Sequence, residues 1–349
     1  MRSGFYIFLL AATLAMILPT TVWGQDSTDV ILVRDITVKK KAKKDTKGKF
    51  TAAPHYTSEM GLGVAMTYVR QNAFSILGNV TTKGYILIGA NGTSTSKKEK
   101  WEFSYNGYYN YAPSYFWGLG YEAANLNSNR TRYDKKKVLL EAEALYRASR
   151  KFKLGPVAGY EWTIWEDLYT NPVKSSLLHM GLSAIYDTKD CGTNPSSGIY
   201  LSAQQRVYSN LSGSTTLQFD VYAPLWDGGT MAADIHSEFT YGDVEITMLP
   251  TIGGMERMRG YYYGRYRNNN VVSAQLELRQ RIWQFISGAG WIGGANLWGE
   301  YGKFSIRHTL PNYGIGIRGD ITKNFRLRLD YGFGRKGQNA FILSINEAF

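Results

Sequence analysis

The stretch FRLRLDYGFG, residues 325–334, alternates without a break. Phe325, Leu327, Leu329, Tyr331 and Phe333 share one side; Arg326, Arg328, Asp330, Gly332 and Gly334 share the other. Successive side chains of an extended strand point to opposite faces, so this segment reads as a strand with one apolar and one charged face. The strands of a soluble β-sandwich also alternate, but they turn the polar face to water and are often shorter. Alternating stretches in this chain commonly run about ten to thirteen residues, enough to cross a bilayer when tilted. The expected fold is therefore all-β, a transmembrane antiparallel β-barrel whose charged face lines the lumen.

The same pattern recurs outward from that stretch. Met231, Ala233, Ile235, Phe239 and Tyr241 alternate with Asp234, His236 and Glu238, while Leu217, Phe219 and Val221 alternate with Gln218 and Asp220. Trp101, Phe103, Tyr105 and Tyr109 alternate with Glu102, Ser104, Asn106 and Asn110. The pattern predicts strands at 61–70, 73–82, 84–93, 99–111, 114–125, 136–148, 151–164 and 175–187. It continues at 197–209, 213–226, 229–241, 271–282, 286–300, 310–321, 325–335 and 340–349, where Phe341, Leu343, Ile345 and Phe349 close the chain. That makes about 16 strands, an even number as bacterial barrels require. With the first strand running outward, the tight links Thr82-Lys83-Gly84, Ala112-Pro113 and Ser149-Arg150 fall in the periplasm. The longer links 94–98, 126–135 and 166–174 fall outside, the asymmetry expected of such barrels. Thr82 to Gly84 could also simply continue one strand.

Composition agrees with a barrel. There are 26 Tyr, 9 Trp and 15 Phe with 37 Gly and only 9 Pro, and membrane barrels carry aromatic girdles. A single cysteine, Cys191, excludes an intramolecular disulfide framework. Residues 1–24 read as a signal peptide: Arg2 is the basic start, Phe5 to Leu18 the apolar core, and Gly24 the small residue before cleavage. The apolar run falls short of the ~20 residues a membrane helix needs. Residues 25–56 read as a basic periplasmic tail or linker, with seven lysines between Arg34 and Lys49 that account for part of the net charge of +12. Contact with anionic phospholipid head groups is an alternative for this tail. Nucleic acid is not an expected partner of an exported chain. The barrel itself is assigned to 57–349.

One stretch stands apart from the alternation. Gly253 to Tyr263, GGMERMRGYYY, lies in the long connection 242–270, and its Arg259-Gly260-Tyr261 is unusual content for an exposed loop. On the strand count this connection is the sixth outer loop, with five strands after it. An arginine-glycine-aromatic there resembles the BamA/TamA-type outer-membrane assembly family, the bacterial surface antigen superfamily. Four more stretches carry the resemblance. Asp187 to Gly198, with Asp190, Asn194 and Pro195, is similar to the family's D-x-R-D-N…N-P-x-x-G periplasmic turn, with Lys189 for Arg and Cys191 for Asn. Leu276-Glu277-Leu278-Arg279 resembles its E-L-R strand. Residues 314–318 (GIGIR) and 328–332 (RLDYG) resemble its last strands. Asn72 to Tyr121 is similar more loosely.

The resemblance implies an outer-membrane protein whose loop 242–270 folds into the barrel and whose Arg259 pairs with an acid of the inner wall, Glu277. The family's following strand carries aromatic-x-Asp-x-Gly, but here Gly293 stands in the aspartate's place. The pairing then rests on Glu277 alone or on another acid such as Asp330. The family's periplasmic POTRA domains do not fit into 25–56. The function implied is outer-membrane protein assembly or transport through a seam between first and last strands, with outer-membrane lipid, other assembly components or periplasmic proteins as partners. The alternative is a passive pore or structural barrel, in which Arg279, Arg318, Arg326 and Arg328 in the lumen favour anions. An enzyme is not expected: His55, His179, His236 and His308 form no metal or Ser-His-Asp spacing, and GxSxG, HExxH and phosphate loops are missing from the sequence. No cofactor or metal is expected.

Overall fold

A computed structural model of the chain describes residues 48–70, 74–299, 304–322, 325–345 and 347–349. The assigned signal peptide, and the tail as far as residue 47, lie outside the described residues, as does Asn72. Sixteen antiparallel strands close into a barrel. In chain order they begin with β1 (Lys49–Thr57), β2 (Gly61–Arg70), β3 (Phe74–Thr81), β4 (Ile86–Thr95), β5 (Trp101–Phe116) and β6 (Thr131–Arg147). Next come β7 (Phe152–Glu166), β8 (Val173–Asp187), β9 (Gly198–Tyr208), β10 (Gly213–Trp226) and β11 (Gly229–Tyr241). The connection to the next wall strand contains a two-stranded ribbon, β12 (Thr251–Ile252) with β13 (Tyr266–Arg267). The wall resumes with β14 (Asn270–Arg281), β15 (Ile286–Trp298), β16 (Leu310–Thr322), β17 (Phe325–Phe333) and β18 (Asn339–Ile345).

Alternation dictates which way each strand faces. In β17, Arg326, Arg328 and Asp330 are buried in the lumen while Leu329 and Tyr331 look outward. In β2, burial alternates at every residue, with Leu62, Val64, Met66 and Tyr68 on the outer wall.

The strand count of sixteen emerges from two differences that cancel. Lys49–Thr57, all but its last residue assigned by sequence to the tail, is a wall strand paired with β2 from Lys49↔Val69 to Thr57↔Gly61. Its pattern is hard to read because small residues and Pro54 interrupt the apolar face. Proline is tolerated at sheet edges, and this strand borders the seam. Conversely, 99–111 and 114–125 are not two strands. β5 runs unbroken through Ala112 and Pro113, which pair with Lys135 and Asp134. The chain then turns through Gly118 and Gly120, both at positive φ, into the short helix Gly120–Asn125. Proline here is a ladder residue, not a turn. The missed first strand also moves 82–85 to the end that carries the long connections 117–130 and 242–269, and moves 96–100 to the end of short turns. From β6 onward the predicted sides agree with the strand order.

The last strand is shorter than predicted. It ends at Ile345 rather than Phe349, and residues 347–349 turn into the lumen, where the Phe349 ring lies 6.4 Å from that of Tyr222. Closure is correspondingly partial. Among the described residues β18 meets β1 at only Tyr56↔Leu343 and Thr57↔Ile342, with Ser58 N–H donating to the Phe341 carbonyl at 3.2 Å just beyond. The seam is zipped at the long-loop end and unpaired along most of β1.

Candidate functional site

The connection 242–269 departs from the rim after β11 and folds back inside the barrel. Its backbone requires glycine at the tip. Gly260 has φ 120°, and a Cβ there would sit 2.8 Å from the Gly332 carbonyl carbon of β17. Reciprocally, a Cβ on Gly332 would fall 2.1 Å from the Arg259 carbonyl oxygen. Two glycines thus let loop backbone lie directly on wall backbone.

That contact aims Arg259 into a fully buried charge cluster. Its guanidinium donates to Glu277 Oε2 at 2.5 Å and to Asp330 Oδ2 at 2.8 Å, and lies 3.6 Å over the Trp291 ring. A guanidinium offers a planar fork of donors, which is why arginine can serve two carboxylates at once. Asn312 ties the neighbourhood together. Its amide donates to the Arg259 carbonyl and to the Phe333 carbonyl at 3.0 Å, while its Oδ1 accepts from Trp291 Nε1 at 2.9 Å. Gly293 cannot carry the second acid, because a Cβ there would lie 2.5 Å from the Ala274 carbonyl. Asp330 of β17 occupies that role in space. Tyr261, also buried, donates its hydroxyl to the Pro311 carbonyl at 2.6 Å and accepts from the Arg335 N–H at 2.8 Å.

The cluster extends down the lumen. Arg279 Nε donates to Glu277 at 2.8 Å, and Arg318 pairs with Asp330 and, at 3.1 Å, with Glu347. Arg326 bridges Glu347 at 2.6 Å, Asp320, and Asn194 Oδ1 at 2.8 Å. Arg328 donates to the Met255 carbonyl of the loop at 2.9 Å. Arg279, Arg318 and Arg326 each meet carboxylates, which compensates part of the cost of burying their charge, whereas Arg328 rests on the Met255 carbonyl with Asp330 3.7 Å away.

The turn 188–197 lies at the opposite, short-turn end. Asp190 accepts from the Ser196 and Ser197 N–H groups at 2.9 and 3.3 Å. Partial burial opposes ionisation, yet the Ser196 hydroxyl and these backbone donors together hold the Asp190 carboxyl below its usual range. Lys189 N–H donates to Asp187 at 2.8 Å, and Gly198, at φ 115°, leaves no room for a Cβ against Thr188. The turn reaches across the barrel: Thr193 O accepts from Glu347 N at 3.4 Å, and Pro195 O lies 3.5 Å from Arg279. Of the sequence-predicted turn residues, Asn194 and Pro195 therefore meet two of the predicted lumen arginines, Arg326 and Arg279, together with Glu347 after β18.

Two contacts escaped sequence reasoning. Arg257 makes a three-bond clamp on Asp234 of β11, at 2.8 to 3.0 Å. Its partner was the readable half, since Asp234 lies on the lumen face of β11, but Arg257 sits in irregular loop where no periodicity gives its direction. Glu59, in the turn after β1, accepts the Tyr263 N–H at 3.1 Å and the Tyr85 hydroxyl at 3.1 Å. It ties the seam strand to the loop, and nothing local in sequence announces it.

Residues 46–349 match the Omp85 superfamily domain, spanning the whole barrel. The chain belongs to the Omp85 superfamily. Among solved structures, this Omp85 barrel is similar to BamA from Haemophilus ducreyi lacking POTRA domains 1–3, with a TM-score of 0.65 at 14% identity, over 86% of this chain and 70% of that one. It is also similar to CdiB from Acinetobacter baumannii (TM-score 0.60, 13% identity, 86% of this chain and 60% of that one). CdiB from Escherichia coli gives 0.61 at 10% identity, over 85% and 62%. At these identities the likeness is one of fold. Comparison with curated protein sequences gives no match. Membership places this Omp85 barrel in the bacterial outer membrane.

Proposed function

We propose that this protein takes part in assembling or transporting proteins at the outer membrane, with the β1–β18 junction as its working edge. One observation carries the reading: among the described residues, β1 pairs with β2 along its whole length but with β18 at two positions only. An unpaired strand edge offers backbone N–H and C=O groups to an incoming extended segment, the chemistry of strand addition. The unpaired portion opens toward the short-turn end, which faces the periplasm in an outer-membrane barrel. A client strand arriving there would find a template without first breaking a ladder. The loop would act as an internal brace, holding the wall on which the seam depends.

The passive anion pore is less well supported. Its candidate selectivity residues, Arg279, Arg318, Arg326 and Arg328, are engaged with carboxylates or a loop carbonyl. Loop and turn occupy the lumen from both mouths. Depletion in the native host, followed by quantitation of other outer-membrane barrels, tests the proposal. A drop in their levels is expected. Unchanged levels, with anion-selective conductance of the purified protein, would favour the pore.

A further inference from the structure

The strand order places two basic turns side by side at the short-turn end. The β4–β5 turn carries Lys97, Lys98 and Lys100, and the β6–β7 turn carries Arg150 and Lys151, all exposed. The turns are joined directly, Arg147 N–H donating to the Lys100 carbonyl at 2.8 Å. The nearby acid Glu102 is already used, pairing with Arg147 at 2.6 Å and Lys153 at 2.9 Å. Counting residues 97–102 and 147–153, seven basic groups face two acids, Glu99 and Glu102. Other described turns at this end lack such an excess: Lys189 is matched by Asp190, Asp227 pairs with Arg281 at 3.0 Å, and 282–285 is uncharged. Among the described turns of this end, the excess positive charge thus falls in one sector of the rim.

Immediately membrane-ward, the outer wall of the same strands changes character. Trp101, Phe103 and Tyr146 face outward, Trp101 edge-on to Tyr146 at 5.3 Å, in the position of an interfacial aromatic belt. Beyond them lies an apolar groove of about 920 Å³. Its floor includes Gly107, Ala142 and Ala158, and its sides include Leu140, Leu178 and Met180. Charge, belt and groove follow one another in the order of phosphate, glycerol and acyl chain.

We infer that this sector is a binding surface for an anionic phospholipid of the inner leaflet, its phosphate on the basic turns and an acyl chain in the groove. Each basic residue near an anionic surface contributes comparably, so several acting together give a strong preference over a zwitterionic lipid. The lipid would fix the height and orientation of the β4–β8 wall, which begins three strands from the seam.

The test uses the full chain reconstituted in phosphatidylcholine vesicles containing a minor fraction of phosphatidylglycerol, re-extracted mildly and scored for retained lipid by native mass spectrometry. The protein is expected to enrich phosphatidylglycerol over the vesicle composition by roughly tenfold. Combined Lys97→Gln, Lys98→Gln, Arg150→Gln and Lys151→Gln should abolish the preference while the barrel keeps its heat-modifiable mobility. Ala142→Phe, which fills the groove, should reduce retention with the turn charges intact. Equal retention of both lipids by the wild type, or a preference that survives the four substitutions, would overturn the inference. So would displacement by inorganic phosphate with the groove variant unaffected, because that describes a free-anion site.

Discussion

Arg259 is a cation with no access to water, whose two carboxylate partners come from β14 and β17. Removing one member of a buried pair typically costs about 3–5 kcal/mol, because the partner is left charged and dry. Arg259→Ala should therefore lower barrel stability by an amount of that order and expose the loop to protease. Glu277→Gln should cost at least as much, since it takes a carboxylate from Arg259, Arg279 and Arg318 together. Unfolding titrations and limited proteolysis of the two variants measure the order. Glu59 gives a pH-dependent counterpart outside the membrane span. Burial pushes its carboxyl up to about 7, outweighing the hydrogen bonds from Tyr263 and Tyr85. A carboxyl whose folded pKa is raised contributes stability that is fully present below its unfolded value and lost as pH rises through the folded one. Glu59→Gln is expected to match the wild type near pH 4.5 and to exceed it above pH 7, read as urea midpoints across that range.

The loop and the wall meet through glycine. Gly332→Ala places a methyl group on the Arg259 carbonyl, so the loop tip must lift and the salt bridges lengthen. Hydrogen exchange at Met258 to Tyr261 should rise markedly in that variant, while Gly290→Ala, whose Cβ meets nothing closer than 3.9 Å, should leave it unchanged. The elements themselves were legible to different degrees. Strands such as β2 and β17 announce themselves because water and lipid demand opposite faces at every second residue. β1 did not, since its seam position relaxes both the apolar pattern and the ban on proline. Pro113 misled because proline is a turn signal in most contexts, whereas here the ladder simply continues past it. In the site, the motif resemblance pointed to Arg259, Glu277 and the turn 187–198. The meeting of Arg326 with Asn194 and Glu347 depends on which strands face each other across the lumen, which no local pattern encodes.

At the scale of the molecule, three segments converge on one interior: the loop from the long-loop end, the turn 188–197 from the other, and the residues after β18. Glu347 is the junction, reaching Arg318 and Arg326 while its backbone meets Thr193. Drawing these last residues inward shortens the ladder that β18 can offer β1, so the interior charge cluster and the weak seam are linked. The central claim is that a client strand docks on the unpaired edge of β1 and that the two remaining β1–β18 pairs then part as it extends along the seam. It is tested most directly by a disulfide across the seam, Tyr56→Cys with Leu343→Cys in a Cys191→Ser background, expressed as the sole copy. Oxidation should lower the levels of other outer-membrane barrels and reductant should restore them. A locked seam that leaves those levels at the wild-type value would contradict the account.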